Sequence, residues 1–186
     1  MKRLLILLFV GIVIYASARA ADNMIDVDQI GDNSIVTITQ DGAGHSATVK
    51  LGNMSMVDAA TMSVVQQGLG LKTANTEIKS GFNNVMSLTQ DGAGNHTANL
   101  ITLGSYNTTN ASQTGNANHQ LDVKLTGNWN SATVNQSGNT ANMANIDLTN
   151  AGGPATINLT QTGGQTFSLI QVCSNPMGCS TTVRQP

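Results

Sequence analysis

Three histidines, two cysteines and a thin scatter of carboxylates are the residues with chemical reactivity in this chain. His45 follows Gln40 by five positions, while His96 and His119 follow Gln90 and Gln113 by six, so all three share one slot of a repeating pattern, joined there by Lys72 and Asn142. If adjacent units stack, His96 and His119 lie about one strand spacing apart, near enough to hold a metal together or to repel each other when protonated. The other reading makes each histidine a hydrogen-bonding turn residue, with at most a modest acid sensitivity of assembly. Cys173 and Cys179 flank Ser174-Asn175-Pro176-Met177-Gly178. In an oxidising compartment they could close a small loop around the Asn-Pro turn, and free thiols in a frayed tail are the alternative.

Other chemistry finds no support. Asp41-Gly42-Ala43-Gly44 and Asp91-Gly92-Ala93-Gly94 lack the nonapeptide spacing of calcium β-rolls and the Gly-Lys-Ser/Thr of a phosphate loop, and read as acidic turns. No Gly-x-Ser-x-Gly elbow accompanies a base and a carboxylate, so no catalytic residues, metal site or cofactor are expected and the chain is read as a non-enzyme. Net charge is −2 with charged residues at 10%, and the lack of a Lys/Arg patch argues against nucleic acid as a partner. Asp58, Asp122 and Asp147, with Lys72, Lys79 and Lys124, read as scattered gatekeepers against premature aggregation. Trp129 and Tyr106 occupy corresponding turns and read as packed turn residues, a sugar or partner platform being the other possibility.

The elements that position these residues come from repetition. Gln-x-Gly occurs seven times, at Gln29, Gln40, Gln66, Gln90, Gln113, Gln136 and Gln161, and after Gln40 the intervals are 26, 24, 23, 23 and 25 residues. A period of this length marks stacked supersecondary units. Ahead of each later Gln the residues alternate with period two, as in Ser34-Val36-Ile38-Gln40, Asn84-Met86-Leu88-Gln90 and Asn130-Ala132-Val134-Gln136. Such alternation predicts half-buried strands with Thr and Ser facing out. Gly42, Gly68, Gly92, Gly115, Gly138 and Gly163 then predict turns. A second alternating arm follows in each unit: His45-Ala47-Val49-Leu51, Lys72-Ala74-Thr76-Ile78, His96-Ala98-Leu100-Thr102, His119-Leu121-Val123-Leu125, Asn142-Ala144-Ile146-Leu148 and Phe167-Leu169-Gln171-Cys173. The five-versus-six offset after Gln is the weakest step, since a one-residue slip swaps the faces.

The expected fold is therefore all-β, a strand-turn-strand β-solenoid of about six rungs with two facing parallel sheets about 10 Å apart. Its narrow interior suits Ala, Val, Ile, Leu and Met and accounts for aromatics at 3%. Buried side-chain amides are costly alone but hydrogen-bond from rung to rung when stacked in register. Gln40, Gln66, Gln90, Gln113, Gln136 and Gln161 are thus predicted to form an amide ladder along the first arm, facing a greasier second sheet. Residues 1–20 read as a secretory signal peptide, from Lys2-Arg3 through an apolar run to Ala18-Arg19-Ala20. Residues 21–33 form an N-terminal segment with a partial repeat, 34–172 the repeats, and 173–186 a C-terminal tail with the Cys loop.

These residues resemble the curlin repeat of curli fibre subunits, the bacterial extracellular amyloids. The family pattern Ser-x5-Gln-x-Gly-x2-Asn-x-Ala-x3-Gln is matched by Ser34-x5-Gln40-x-Gly42-x2-His45-x-Ala47, with His in the Asn slot; Asn84, Asn107 and Asn130 take the Ser slot in later units. Gln29-x-Gly31 resembles the half-repeat phase. The family's second Gln is replaced by Leu51, Ile78, Thr102, Leu125 and Leu148. The resemblance implies a structural subunit of secreted, cell-surface fibres in biofilm matrix and adhesion. Its partners would be itself, other curli subunits and an outer-membrane export apparatus, with no small-molecule substrate. A monomeric secreted solenoid that binds ice or polysaccharide through outward Thr/Ser/Asn rows is the alternative.

Overall fold

The computed structural model describes residues 12–16 (backbone only), 22–52, 57–150 and 152–186. Most of the expected signal peptide, together with Asn53 of one expected turn, lies outside the described residues. The chain runs β1 (Ile12–Ala16), β2 (Met24–Gln29), β3 (Ile35–Asp41), β4 (Ser46–Leu51), the two-residue β5 (Val57–Asp58), β6 (Thr61–Gln67), β7 (Lys72–Phe82) and β8 (Val85–Asp91). It continues through β9 (His96–Leu103), β10 (Thr108–Gly115), β11 (Gln120–Thr126), β12 (Ser131–Gly138), β13 (Met143–Asn150), β14 (Ala155–Gln161), β15 (Thr166–Cys173) and β16 (Cys179–Gln185).

Alternate strands enter alternate sheets, which is how a period-two sequence without helical stretches satisfies its backbone groups. One sheet has the order β1-β3-β6-β8-β10-β12-β14-β16 and the other β15-β13-β11-β9-β7-β4-β2, with β5 beside β7. Every pairing is parallel. Six rungs (β3/β4, β6/β7, β8/β9, β10/β11, β12/β13, β14/β15) make the expected β-solenoid; at the N-terminal end β1 on β3 and β2 on β4 add a further level, and at the C-terminal end β16 adds a half-rung.

Between the sheets lies one apolar core, from Val36 and Ile38 in the first complete rung to Ile157 and Leu159 in the sixth, all essentially inaccessible. The inward rows are those that the alternation predicts: β8 and β12 show a buried residue at every second position. The second-arm column Leu51, Ile78, Thr102, Leu125, Leu148 is buried throughout, so this sheet is the greasier one.

The uncertain offset is absorbed inside the turns. Ser46 pairs with Thr73 and Lys72 with His96, so His45, five residues after its Gln, reaches the same level and face as Lys72, six after its own. In the last unit the shift is real: Phe167 stands opposite Ala144, not Asn142, because the turn after Gln161 is two residues shorter. At the C-terminus the expected tail contains β16, paired with β14 from Ala155↔Cys179 to Gln161↔Gln185. The Cys173–Cys179 disulfide, Cα atoms 5.7 Å apart, closes the loop that carries the chain from one sheet to the other.

Gly92 illustrates why the turns need glycine. Its φ is +105°, and a Cβ there would run into the backbone carbonyl of Gly115 one rung away. Gly42, Gly68, Gly115 and Gly138 share the positive φ, whereas in the sixth unit Gly164 takes it and Gly163 is hemmed in by the Pro186 carbonyl.

Candidate functional site: the interior polar columns

The ladder predicted from Gln-x-Gly is present and continuous. Nε2 of each glutamine donates to Oε1 of the next: Gln40 to Gln66 at 2.8 Å, Gln66 to Gln90 at 2.9 Å, and Gln90 to Gln113 at 2.9 Å. Gln113 to Gln136 and Gln136 to Gln161 follow, both at 3.0 Å. The second amide hydrogen of each crosses to a backbone carbonyl where the opposite sheet begins, for example Gln66 to Ser46 O at 3.0 Å and Gln136 to Gln120 O at 2.9 Å. Glutamine is long enough to serve both partners, so each amide binds rung to rung and sheet to sheet, and a buried group that is costly alone becomes fully paired.

The ladder runs one rung beyond the six glutamines expected from the sequence. Gln161 Nε2 also donates to Gln185 Oε1 at 2.8 Å, a seventh amide on β16. The signal was the alternation Thr181-x-Val183-x-Gln185, but no glycine follows to mark a turn. Gln29 is placed differently from its motif-mates. It lies on β2 in the second sheet, opposite Leu51.

A second column lines the corner where each first arm begins. Asn107 N–H donates to Asn84 Oδ1 and Asn130 N–H to Asn107 Oδ1, both at 2.9 Å, and Ala155 N–H to Asn130 Oδ1 at 3.0 Å. Ser34 does the same one-handed, accepting from Ala60 N–H at 3.2 Å. The short polar residues at the start of these first arms thus cap the backbone of the following rung.

The histidine slot forms a third column, Asn23–His45–Lys72–His96–His119–Asn142, and the last five members are buried. His96 Nε2 faces the Asp91 carbonyl at 2.8 Å and His119 Nε2 faces Thr114 O at 3.0 Å, so both must carry a proton there. Their Nδ1 atoms accept from the rung beyond: His119 N–H to His96 Nδ1 at 3.4 Å and Asn142 N–H to His119 Nδ1 at 3.1 Å. The two rings stack at 5.0 Å with planes 3° apart. With both nitrogens engaged by the backbone, neither ring directs a lone pair at a common metal, and the hydrogen-bonding reading is the one the geometry supports. Burial lowers the pKa of all three histidines, that of His96 to about 4.

Of the two readings of Lys72, the gatekeeper one is corrected: it is a core residue of the histidine slot. Its Nζ donates to Gly70 O, Gly92 O and Gly94 O at 2.8, 2.9 and 2.8 Å, and burial lowers its pKa while Asp91 opposes the shift. Lys124 and Lys79 do lie outside, paired with Asp147 and Glu77 at 3.2 and 3.7 Å.

At the opposite corner, Asn33, Ala59, Asn83, Tyr106 and Trp129 all take a left-handed φ of 51–64° and occupy one level on successive rungs. Two aromatics in adjacent copies of that slot must stack, and Tyr106 and Trp129 do, at 4.0 Å and 5°. Phe82 meets Tyr106 edge-on at 4.9 Å. These are packed turn residues, although Trp129 remains 61% exposed.

Comparison with protein-family models, with curated proteins and with solved structures returned no match.

Proposed function

We propose that this chain is a structural, non-catalytic subunit of secreted, extracellular curli-like amyloid fibres, adding copies end to end by β-strand stacking and serving biofilm matrix and cell-surface adhesion. The observation that carries this reading is the in-register Gln ladder, parallel and unidirectional through every complete rung. Such a ladder is satisfied only where a rung continues on both sides, which is the condition that cross-β stacking meets. Export through an outer-membrane apparatus and association with other curli subunits follow from the curlin-repeat resemblance, and removal of residues 1–20 follows from the signal-peptide pattern. The outward columns mix residue types, for example Thr37–Ser63–Ser87–Asn110 and Thr39–Val65–Thr89–Ser112, so the ice or polysaccharide reading lacks a Thr-x-Thr array.

The test is to incubate purified residues 21–186 and follow thioflavin-T fluorescence, electron microscopy and fibre diffraction. Fibres with reflections near 4.8 and 10 Å are expected. Gln90→Ala combined with Gln113→Ala should lengthen the lag. A persistent monomer at high concentration overturns the proposal.

A further inference from the structure

The two ends of the solenoid are unlike and complementary. With β1 set aside, the second sheet projects by one strand, β2, at the N-terminal end; at the C-terminal end the first sheet projects by one strand, β16. Each end also carries inward side chains without partners. Nε2 and Oε1 of Gln29, Oε1 of Gln40 and Oε1 of Gln171 are buried and bonded to nothing among the described residues. The apolar residues that pack on the core only partly are Ile25, Val27, Phe167, Leu169, Cys179 and Val183, all on β2, β15 and β16.

We infer that a second copy of this chain completes a split rung: β16 of one molecule lies on β3 of the next, while β2 of that next molecule lies on β15 of the first. This deepens the fibre reading above and rests on it. Continuing the observed registers by one step fixes every contact. In the first sheet Gln161↔Gln185 and Gln40↔Gln66 place Gln185 beside Gln40, so Gln185 Nε2 meets the orphaned Gln40 Oε1 and the ladder passes unbroken between molecules. In the second sheet Ala144↔Phe167 and Ile25↔Ala47 share a column, which sets Phe167 on Ile25, Leu169 on Val27 and Gln171 on Gln29. The two orphaned amides of that column, at opposite ends of a row otherwise made of Leu, Ile and Thr, then pair with each other. Outside, Val172 comes to Ile30; they are 60% and 52% exposed in the single molecule. A heterologous contact of this kind does not close and yields an open filament.

The seat for β16 is occupied in the full chain. β1 pairs with β3 from Ile12↔Val36 to Ala16↔Gln40, the register that β16 would adopt. A chain that keeps residues 1–20 therefore has a blocked N-terminal end, and their removal opens the joint.

Cross-linking reads the joint directly. In the inferred register Thr182 of one copy stands beside Thr37 of the next, about 4.8 Å away, within the 4.4–6.8 Å that a disulfide spans. Thr37→Cys and Thr182→Cys chains of residues 21–186 are mixed, polymerised, oxidised and digested for peptide mass spectrometry, with the Cys173–Cys179 peptide as internal control. A 37–182 linkage is expected, with Ser63→Cys, one strand deeper, giving none to 182. As an independent reading, Gln29→Leu or Gln171→Leu alone should slow elongation roughly tenfold by orphaning one amide, while the double variant restores it. Fibres that incorporate both cysteine variants without the 37–182 linkage overturn the joint and leave the fibre reading standing. Absence of fibres removes both, and full-length chains that elongate as fast as residues 21–186 overturn the blocking role of β1.

Discussion

Acid should loosen this fold well above the range in which carboxylates titrate, and the histidine column sets the size of the effect. His96 has a pKa of about 4 in the folded chain against an ordinary 6.5, burial being the main cause and Lys72 and His119 adding to it against Asp91. Each pH unit of depression corresponds to about 1.4 kcal/mol, so His96 alone weakens the folded state by roughly 3 kcal/mol when pH falls from 7 to 4. The direction follows from proton uptake: the unfolded chain binds protons from pH 6.5 downward while the folded chain resists until about 4. The stabilisation is complete above 6.5 and lost through that window. The structural cause is specific, because a protonated ring loses the Nδ1 acceptor that takes the N–H of the next rung. His45 and His119 are lowered too and push the same way. The measurement is the urea midpoint by circular dichroism at pH 7.0, 6.0, 5.0 and 4.5, for the native chain and for His96→Asn plus His119→Asn. Asparagine already serves this column at Asn142, where its Oδ1 accepts from Gly164 and Gln165 N–H at 3.0 Å. The native chain should lose stability across the series and the double variant should be much flatter. Equal slopes for both would refute the assignment of the acid response to this column.

Gln113→Leu should cost roughly 3 kcal/mol by leaving Gln90 Nε2 without its rung partner and Gln136 Oε1 without a donor, whereas the outward Thr89→Val should stay within about 0.5 kcal/mol; chemical denaturation of both checks the contrast. Reduction of Cys173–Cys179 releases a small loop worth about 2 kcal/mol of chain entropy, and the loss should be local. Hydrogen exchange should speed up in β16 while β8 to β11 keep their protection.

How much of this was legible depends on how the chain marks its turns. The first arms were placed correctly because Gln is costly inside unless repeated and Gly two residues on is needed at positive φ, so each unit carries two punctuation marks. Residues 179–185 carry only one, Gln185, and the disulfide loop before them disguises a strand as a tail. Gln29 carries both marks and still pairs in the other sheet, because β2 follows β1 and takes the second-arm place beside β4. Lys72 was misplaced for a general reason: lysine is almost never buried, and only the convergence of three turn carbonyls on Nζ, a tertiary fact, makes it tolerable. The turn at Tyr106 and Trp129 was legible but its left-handed φ was not, since Ala59, Tyr106 and Trp129 share no local preference for it and only Asn33 and Asn83 do.

The three polar columns have a property that no apolar core could supply, which is direction. In the ladder every Nε2 points toward the C-terminal rungs; in the Asn and His columns Asn84, Asn107, Asn130, His96, His119 and Asn142 each accept an N–H from the rung on their C-terminal side. Reversing one rung would set donor against donor along three lines at once, so the order of rungs is enforced electrostatically as well as by chain connectivity. Internal satisfaction grows with each rung: among the described residues the side-chain amides with unsatisfied atoms are at the ends, at Gln29, Gln40 and Gln171, and His45 Nδ1, Thr109 Oγ1 and Thr126 Oγ1 are isolated exceptions along the stack. A stack with nearest-neighbour coupling of this sort gains from every added rung and keeps a constant end cost. Any partner that relieves the end cost must therefore match the column pattern and its direction, and the sequence that does so by construction is another copy of this one.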